Sequence, residues 1–210
     1  MISMDDSPNN QIVEAIDEVL AWSNLFEHHM SIEQFLQNLQ VRCTTDKLVE
    51  VVEQTSHLSI EDNMVFSGKY QRNPSFEHYQ QLAETHLEQT KEVLSVLHSC
   101  KQVEGLAVTG SVAAGMNKED GDVDVLIITK PGWVWRTRAL AVYLSHKHQG
   151  GHLLCPNMVM SADSLEFEQS IYGAREMMQI IPLKDENGIS EMFNKNTWVN
   201  EVLPNARPKP

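Results

Sequence analysis

The sequence predicts an α+β protein, a small mixed β-sheet flanked by helices and preceded by a small helical module. Three observations support this fold class. Residues 11–69 carry three helical patterns and two short strand patterns. Residues 75–101 form one long amphipathic pattern, and the chain beyond residue 103 alternates strand and helix patterns. A chain of 210 residues is long enough to bury a sizeable core.

The front of the chain predicts short helices followed by a hairpin. Apolar residues recur at helical spacing through 11–26, a capping box at Ser31–Gln34 opens a second helix, and Thr45 is positioned to cap a third. Two short strand patterns then surround a Glu-Asp-Asn turn within residues 57–70. Three helices and a hairpin form the outline of a winged-helix-like module, which we assign to residues 1–72.

The negative charge of the chain is concentrated in this front module. Residues 1–69 contain three Lys and Arg against twelve Asp and Glu, a net −9 of the −13 of the whole chain. The third helix of a DNA-binding winged helix enters the DNA, yet here it offers Lys47 against three acids: Asp46, Glu50 and Glu53. An acidic surface repels phosphate backbones. We therefore expect a packing or protein-contact module with a protein partner, and no nucleic-acid partner.

The rest of the chain divides into a connecting helix and a sheet domain. The amphipathic pattern at 75–101 predicts a long helix, and we take 73–102 as the connecting segment. The remaining residues, 103–210, form the sheet domain. Its predicted strands are 104–109, 122–129 and 153–160, and its predicted helices are 133–148 and 164–178.

The stretch VTGSVAAGMNKEDGDVDVLII (108–128) carries the chemistry of this domain. Alternation along a strand puts Asp122 and Asp124 on one face, where their charges repel unless a cation lies between them. Carboxylates on a rigid strand suit Mg²⁺, which also takes substrate phosphates as ligands. Upstream, a strand ends at Gly110-Ser111 and a short helix begins, which offers backbone N–H groups and a hydroxyl to an anion. These features together are typical of metal-assisted phosphoryl transfer.

The spacing of these residues resembles the signature of the DNA polymerase β-like nucleotidyltransferase superfamily. The shared pattern is apolar-x-Gly-Ser, a gap of ten residues, then Asp-apolar-Asp-apolar, within residues 103–130. The resemblance implies that Gly110 and Ser111 hold the β- and γ-phosphates of a nucleotide and that Asp122 and Asp124 bind Mg²⁺. Three further stretches are similar to prokaryotic nucleotidyltransferase-domain proteins with a winged-helix-like N-terminal segment: Gly132-x-x-Trp135-x-x-Arg138, Cys155-Pro156-Asn157 and Asn196-x-Trp198.

The resemblance also implies a third carboxylate, on a later strand, which activates the attacking hydroxyl. The strand expected to carry it, 152–161, contains no Asp or Glu. Asp163 and Glu166 follow that strand, and we predict one of them as the catalytic base because we expect the chain to leave the sheet beside the two aspartates. Glu176, about three helical turns further on, is interpreted as less well placed.

Two basic side chains are predicted to help bind the nucleotide. Lys118 lies in the loop between the Gly-Ser turn and the paired aspartates. Arg138 belongs to the first turns of the helix at 133–148, from which it could pair with a triphosphate. Aromatic side chains interpreted as core anchors rather than base-stacking platforms are Trp133, Trp135 and Trp198.

These residues predict an enzyme that uses Mg²⁺ or Mn²⁺ to transfer a nucleoside monophosphate from an NTP. The acidic surface favours a small-molecule or protein acceptor over a nucleic-acid strand. Because the third carboxylate is not evident, a catalytically degenerate protein that binds nucleotides or regulates others is the alternative. A transcription factor that uses the front module is a third hypothesis, which the charge disfavours.

The cysteines and the hydropathy predict a cytoplasmic location. Cys43, Cys100 and Cys155 are scattered without CxxC spacing, as reduced thiols are. No apolar run approaches the length of a membrane span, and the N-terminus lacks the basic and apolar parts of a signal sequence. We therefore expect no membrane partner.

Overall fold

The computed structural model describes residues 8–68 and 73–208, which fall into two compact units. The first unit contains the chain as far as Phe76 and again Val199–Arg207, and the second contains Glu77–Trp198. Helices and a mixed sheet build the protein, so the predicted α+β class is confirmed. Among the helices of the described residues, none has both the length and the apolar character that crossing a membrane requires.

The first unit begins with helices and a hairpin, in the order that the sequence predicts. The hairpin turn places Asp62 and Asn63 at positive φ, the backbone conformation that a tight two-residue turn between strands needs. The assignment of this arrangement to the winged-helix class stays a prediction. The elements are α1 (Pro8–Leu25), α2 (Ile32–Asn38), α3 (Thr45–Gln54), β1 (Leu58–Glu61) and β2 (Met64–Ser67), with β1 and β2 antiparallel.

Side-chain caps fix where α2 and α3 begin. The predicted capping box is present: Gln34 N donates to Ser31 Oγ at 3.3 Å, and Ser31 N donates to Gln34 Oε1 at 3.0 Å. The predicted cap of α3 is wrong by one residue. Thr44, not Thr45, is the cap, because its hydroxyl accepts from Lys47 N at 3.2 Å while Thr45 is already helical.

The C-terminal residues complete the first unit. Helix α9 (Val199–Val202) is followed by Asn205, whose side chain accepts from Cys43 N at 3.0 Å. The same side chain donates to the carbonyl oxygens of Leu36 and Val41. These three bonds satisfy backbone groups in the last turn of α2 and in the segment between α2 and α3, and so hold the end of the chain there.

The second unit contains, within the described residues, a mixed sheet of four strands in the order β5–β4–β3–β6. Strand β3 is antiparallel to β4 and β6, whereas β4 and β5 are parallel. The elements are α4 (Phe76–Ser99), β3 (Val103–Val108), α5 (Gly110–Ala114), β4 (Val123–Thr129), α6 (Val134–Lys147), β5 (Leu154–Ser161), α7 (Ile171–Gln179), β6 (Ile181–Asp185) and α8 (Gly188–Lys195).

The two faces of β4 have different environments. Val125 and Ile127 are fully buried in a core cluster that also contains apolar residues of α4 and α6. Alternation along the strand directs Asp124 to the opposite face. The paired aspartates therefore lie on the sheet face that α4 and α6 do not cover.

One predicted helix begins seven residues later than expected. The sequence predicts a helix at 164–178, whereas α7 begins at Ile171. Asn196 explains the difference, because its amide donates to the Leu165 carbonyl at 2.7 Å and accepts from Phe167 N at 2.8 Å. A helix at 164–178 would use these two backbone groups for its own hydrogen bonds. Here they bind instead to the side chain of Asn196, which follows α8.

The tryptophans divide between the core and the surface. Trp198 is 7% exposed and donates its indole N–H to Asn196 Oδ1, so its predicted role as a core anchor is confirmed. The same prediction is wrong for Trp135, which is 80% exposed, and for Trp133, which is 39% exposed. Trp133 instead lies under the Arg136 guanidinium, 5.3 Å from the ring centre, as a surface cation–π pair does.

Candidate active site

The candidate site lies at the end of the sheet where β3 finishes and β4 begins. Because β3 and β4 are antiparallel, the residues that follow Val108 return to the start of β4. Thr109 N donates to the Asp124 carbonyl oxygen at 2.9 Å. The structure thus brings the Gly110-Ser111 turn beside Asp124, although ten residues separate the turn from the first aspartate in the sequence.

Gly110 is required at this position by its conformation and by its neighbour. Its φ is +63°, and a Cβ added to it would lie 2.5 Å from Asp124 Oδ2. No side chain fits at that distance, so the bare backbone of residue 110 runs directly alongside the carboxylate. A ligand that binds Asp124 through a cation would therefore also meet the backbone of the turn.

Asp122, Asp124 and Cys155 form a compact group of possible ligand atoms. Cys155 is paired with Asp124 in the parallel register of β4 and β5. One ligand atom from each of the three side chains lies within 4.8 Å of the other two. Since metal–ligand bonds measure about 2.0–2.3 Å, small side-chain movements would let one ion touch all three. The donor set therefore fits a divalent ion.

Two of these three groups have raised pKa values. Burial raises the pKa of Asp124, and the charge of Asp122 raises it further, while a hydrogen bond with the Cys155 thiol opposes the shift. Burial and the neighbouring carboxylates raise the pKa of Cys155 to about 12. Without a cation, this cluster thus disfavours negative charge, and a bound cation would remove that penalty.

Helix α7 brings a further carboxylate toward the aspartates. It packs against α5, the short helix that begins at Gly110. Burial raises the pKa of Glu176, and the charge of Asp124 raises it further. The pKa of Tyr172 is raised first by Glu176, then by burial and by the charge of Asp124. Glu176, which the sequence reading judges less well placed, therefore lies within electrostatic reach of Asp124.

The structure does not bring Asp163 and Glu166 to the aspartates. Strands β4 and β5 are parallel, so both begin at the candidate site, and Ser161 at the end of β5 pairs with Thr129 at the end of β4. The five steps along the strand from Asp124 to Thr129 span roughly 17 Å at about 3.3 Å per residue. The expectation that the chain leaves the sheet beside the aspartates is wrong. Asp163 and Glu166 instead line a cleft with Glu191 and Lys195 of α8.

Asn117 organises the loop between the turn and the aspartates. It is only 3% exposed. Its amide nitrogen lies 3.0 Å from the Asp122 carbonyl oxygen, to which it donates, and 2.9 Å from His86 Nδ1. Its amide oxygen accepts from Ser111 Oγ at 3.3 Å and from Lys118 N at 3.0 Å. One buried side chain thus links the predicted phosphate-binding serine to the first predicted metal ligand.

The rest of this loop is fixed to α4 and to Asn117. Asn117 N donates to the Tyr79 carbonyl at 2.9 Å, and His78 Nε2 lies 2.7 Å from Glu119 Oε1. A Cβ on Gly121 would lie 1.9 Å from Asn117 Oδ1, so only glycine fits there. Sequence reasoning missed Asn117, although the glycine before Asp122 is a sign that another group approaches the backbone closely.

Replacing Asn117 with Ala is expected to lower the free energy of unfolding by about 2–4 kcal/mol. The change leaves the Asp122 carbonyl and His86 without a buried hydrogen-bond partner, each at a cost of about 1–3 kcal/mol. Urea denaturation measures the loss, with Asn194→Ala as the control because Asn194 is exposed on α8. Equal stabilities of the two variants would contradict the role assigned to Asn117.

The two predicted basic residues have different environments. Lys118 is exposed in the loop that Asn117 holds, between Ser111 and Asp122. Arg138 is on α6, and its guanidinium donates to the Pro156 carbonyl at 3.0 Å, one residue after Cys155. Because α6 covers the opposite face of the sheet, Arg138 supports strand β5 from behind. Binding of a triphosphate by either residue stays a prediction.

Comparison with known proteins identifies the part of the chain that contains this site. Residues 87–154 match the family model of the nucleotidyltransferase domain. The match includes the Gly110-Ser111 turn, Asn117 and both aspartates, and it ends one residue before Cys155. A comparison with curated protein sequences gives no match.

Proposed function

We propose that this chain, which carries a nucleotidyltransferase domain of the DNA polymerase β-like superfamily, transfers a nucleoside monophosphate from an NTP to a small-molecule or protein acceptor. The observation that supports the proposal most is the meeting of Gly110 and Ser111 with Asp122 and Asp124 at one end of the sheet. This juxtaposition offers an anion site and a cation site to one triphosphate.

In this proposal the Gly-Ser turn holds the β- and γ-phosphates. Gly110 has no side chain, so phosphate oxygens can approach its backbone N–H. Ser111 is exposed, and its hydroxyl can turn from Asn117 Oδ1 toward a phosphate oxygen. Lys118 in the neighbouring loop adds a positive charge to this side of the site. Together these groups would orient the triphosphate for in-line attack at the α-phosphorus.

Asp122 and Asp124 are the residues that would hold a divalent ion, Mg²⁺ or Mn²⁺ in the sequence-based assignment. Such an ion, when bound, neutralises charge on the phosphates of the NTP. The protein contributes Asp124 on β4 and Asp122 directly before that strand, and the rigid strand keeps Asp124 in a fixed relation to the Gly-Ser turn.

Glu176 is the residue that we propose as the general base. It is half-buried on α7, which packs against α5, the helix that begins at Gly110. The charge of Asp124 raises its pKa, in keeping with this placement. A raised pKa gives a carboxylate more affinity for the proton of an acceptor hydroxyl than an ordinary glutamate has. The location of Asp163 and Glu166 at the far end of β5 does not support their predicted role as bases.

A protein that binds nucleotides without transferring them is the second candidate function. It is favoured by one observation, that the strand beside β4 presents the Cys155 thiol next to Asp124 rather than a third carboxylate. Calorimetry of the full chain with each NTP and Mg²⁺ tests binding, and pyrophosphate release with a panel of acceptors tests transfer. Binding with pyrophosphate release supports transfer, binding alone favours the second candidate, and the absence of both contradicts the two proposals.

The full chain is expected not to bind duplex DNA. Helix α3 has Asp46, Glu50 and Glu53 against Lys47, so it lacks the cations that displace counterions from phosphates. Electrophoretic mobility shift at low salt measures binding. The triple variant Asp46→Lys, Glu50→Lys, Glu53→Lys is the positive control, and we expect it to gain salt-sensitive binding. Salt-sensitive binding by the unmodified chain would contradict the protein-contact role of the module.

A further inference from the structure

Cys155 occupies the position on β5 that faces the paired aspartates. It is paired with Asp124 in the strand register, and it is half-buried. Its sulfur is one of the three ligand atoms that lie within 4.8 Å of one another. Among the described residues, these three side chains form the one group of His, Cys, Asp and Glu that is compact enough to surround an ion. The third donor of the candidate site is therefore a sulfur rather than an oxygen.

A sulfur donor changes which ion a carboxylate site prefers. Mg²⁺ is a hard cation that takes oxygen ligands and binds thiolates poorly. Zn²⁺ and Co²⁺ accept sulfur, nitrogen and carboxylate oxygen, and Zn²⁺ sites with three protein ligands keep a position open for water or substrate. A set of two carboxylates and one thiolate, exposed enough for phosphate to enter, matches the second class of ion better than the first.

We infer that Cys155 is a direct ligand of the divalent ion held by Asp122 and Asp124, and that its sulfur gives the site a preference for Zn²⁺ or Co²⁺ over Mg²⁺. The inference rests on the proposed function in one respect, since it concerns the same ion site. It revises the assignment of Mg²⁺, which followed from the aspartates alone. The inference also gives β5 a role in metal binding, although that strand contains no Asp or Glu.

The other cysteines of the chain serve as internal controls. The Cys100 thiol donates to the Val96 carbonyl at 3.3 Å, and the Cys43 thiol donates to the Thr44 carbonyl at 3.3 Å. Neither belongs to a compact group of potential ligands among the described residues. A metal–sulfur signal that depends on Cys155 alone therefore reports the candidate site.

Titration of the full chain with Co²⁺ in the absence of nucleotide tests the inference. Wild type and Cys100→Ser are expected to show the near-ultraviolet absorption of a cobalt–thiolate bond. Cys155→Ser is expected to lose this absorption and to bind Co²⁺ and Zn²⁺ at least about tenfold more weakly. Cys155→Asp supplies a third carboxylate, so calorimetry is expected to show tighter Mg²⁺ binding than in wild type. Circular dichroism and Tm confirm that each variant is folded.

The outcomes distinguish this inference from the proposed function. A cobalt–thiolate band that persists in Cys155→Ser, or Mg²⁺ binding as tight as Zn²⁺ binding in wild type, overturns the inference. Mg²⁺-dependent NTP binding without any cobalt–thiolate band overturns the inference and leaves the proposed function standing. A band that depends on Cys155 in a chain that binds no NTP supports the inference and contradicts the proposed function.

Discussion

Replacing Asp124 with Asn is expected to abolish metal-dependent nucleotide binding and to lower any transfer at least about a thousandfold. Asp124 is the aspartate whose carboxylate lies against Gly110 of the Gly-Ser turn. It is also the residue that pairs with Cys155 of β5 in the strand register. The amide keeps the shape of the side chain but carries no charge to hold a cation. The same loss is expected for Asp122→Asn. Calorimetry with NTP and the divalent ion measures binding, and pyrophosphate release measures transfer.

The matched control for these variants is Asp163→Asn, which makes the same chemical change at the opposite end of β5. It is expected to bind NTP as wild type does. The folded state of Asp124→Asn can be verified by its Tm, which should exceed that of the metal-free wild type at neutral pH. The pKa of Asp124 is raised by burial and by Asp122, so its charge destabilises the folded protein above that pKa. Unchanged metal-dependent affinity in Asp122→Asn and Asp124→Asn would contradict the metal assignment.

Replacing Glu176 with Gln is expected to lower turnover at least about a hundredfold and to leave NTP affinity nearly unchanged. Glutamine can still donate and accept hydrogen bonds but cannot take the proton of an acceptor hydroxyl. In wild type, the rate should rise with pH as Glu176 loses its proton, and this rise should lie above the ordinary pKa of glutamate because burial and Asp124 raise the pKa. Steady-state kinetics across pH measure both effects.

Glu166→Gln is the control for this second prediction, since Glu166 lies in the cleft at the far end of the sheet. Its turnover and its pH profile should match those of wild type. Full activity in Glu176→Gln would contradict the role of Glu176 as the base. A large loss in Glu166→Gln or Asp163→Ala would instead restore the residues that the sequence favours.

The parts of the site that are local in sequence could be predicted without a structure. Gly110 and Ser111 follow the end of β3, Asp122 directly precedes β4, and Asp124 lies at its start, and these two strands are antiparallel neighbours. Two strands that follow each other closely in the chain usually pair as antiparallel neighbours, so the residues after the first strand lie beside the start of the second. The spacing of the motif therefore predicts both which side chains come together and the end of the sheet at which they do so.

Which side chains of later elements lie near the aspartates could not be predicted in this way, because their positions depend on strand direction. The order β4–α6–β5 is a strand–helix–strand crossover, which favours parallel pairing. Applied to the sequence, that rule puts the start of β5, and so Cys155, beside the aspartates. The position of Glu176 has no such local signal, because it depends on the non-helical segment that Asn196 holds before α7.

Sequence patterns also do not predict that the C-terminal residues belong to the first unit. Asn205 bonds to backbone groups more than 160 residues earlier in the chain. The residues on either side of Asn205 are Pro204 and Ala206, and they are part of no periodic pattern that would predict such a contact. The prediction for Trp135 is wrong for a related reason, since packing decides which side of α6 is buried, whether or not that side carries an aromatic ring.

A crystal structure of the full chain with a non-hydrolysable NTP and Mn²⁺ tests the central claim most directly. Anomalous scattering locates the manganese, and the phosphates locate the nucleotide. We expect the ion between Asp122 and Asp124, and the β- and γ-phosphates against the Gly110 backbone and the Ser111 hydroxyl. A nucleotide bound elsewhere, or a manganese peak away from these two carboxylates, would contradict the assignment of this end of the sheet as a nucleotidyltransferase site.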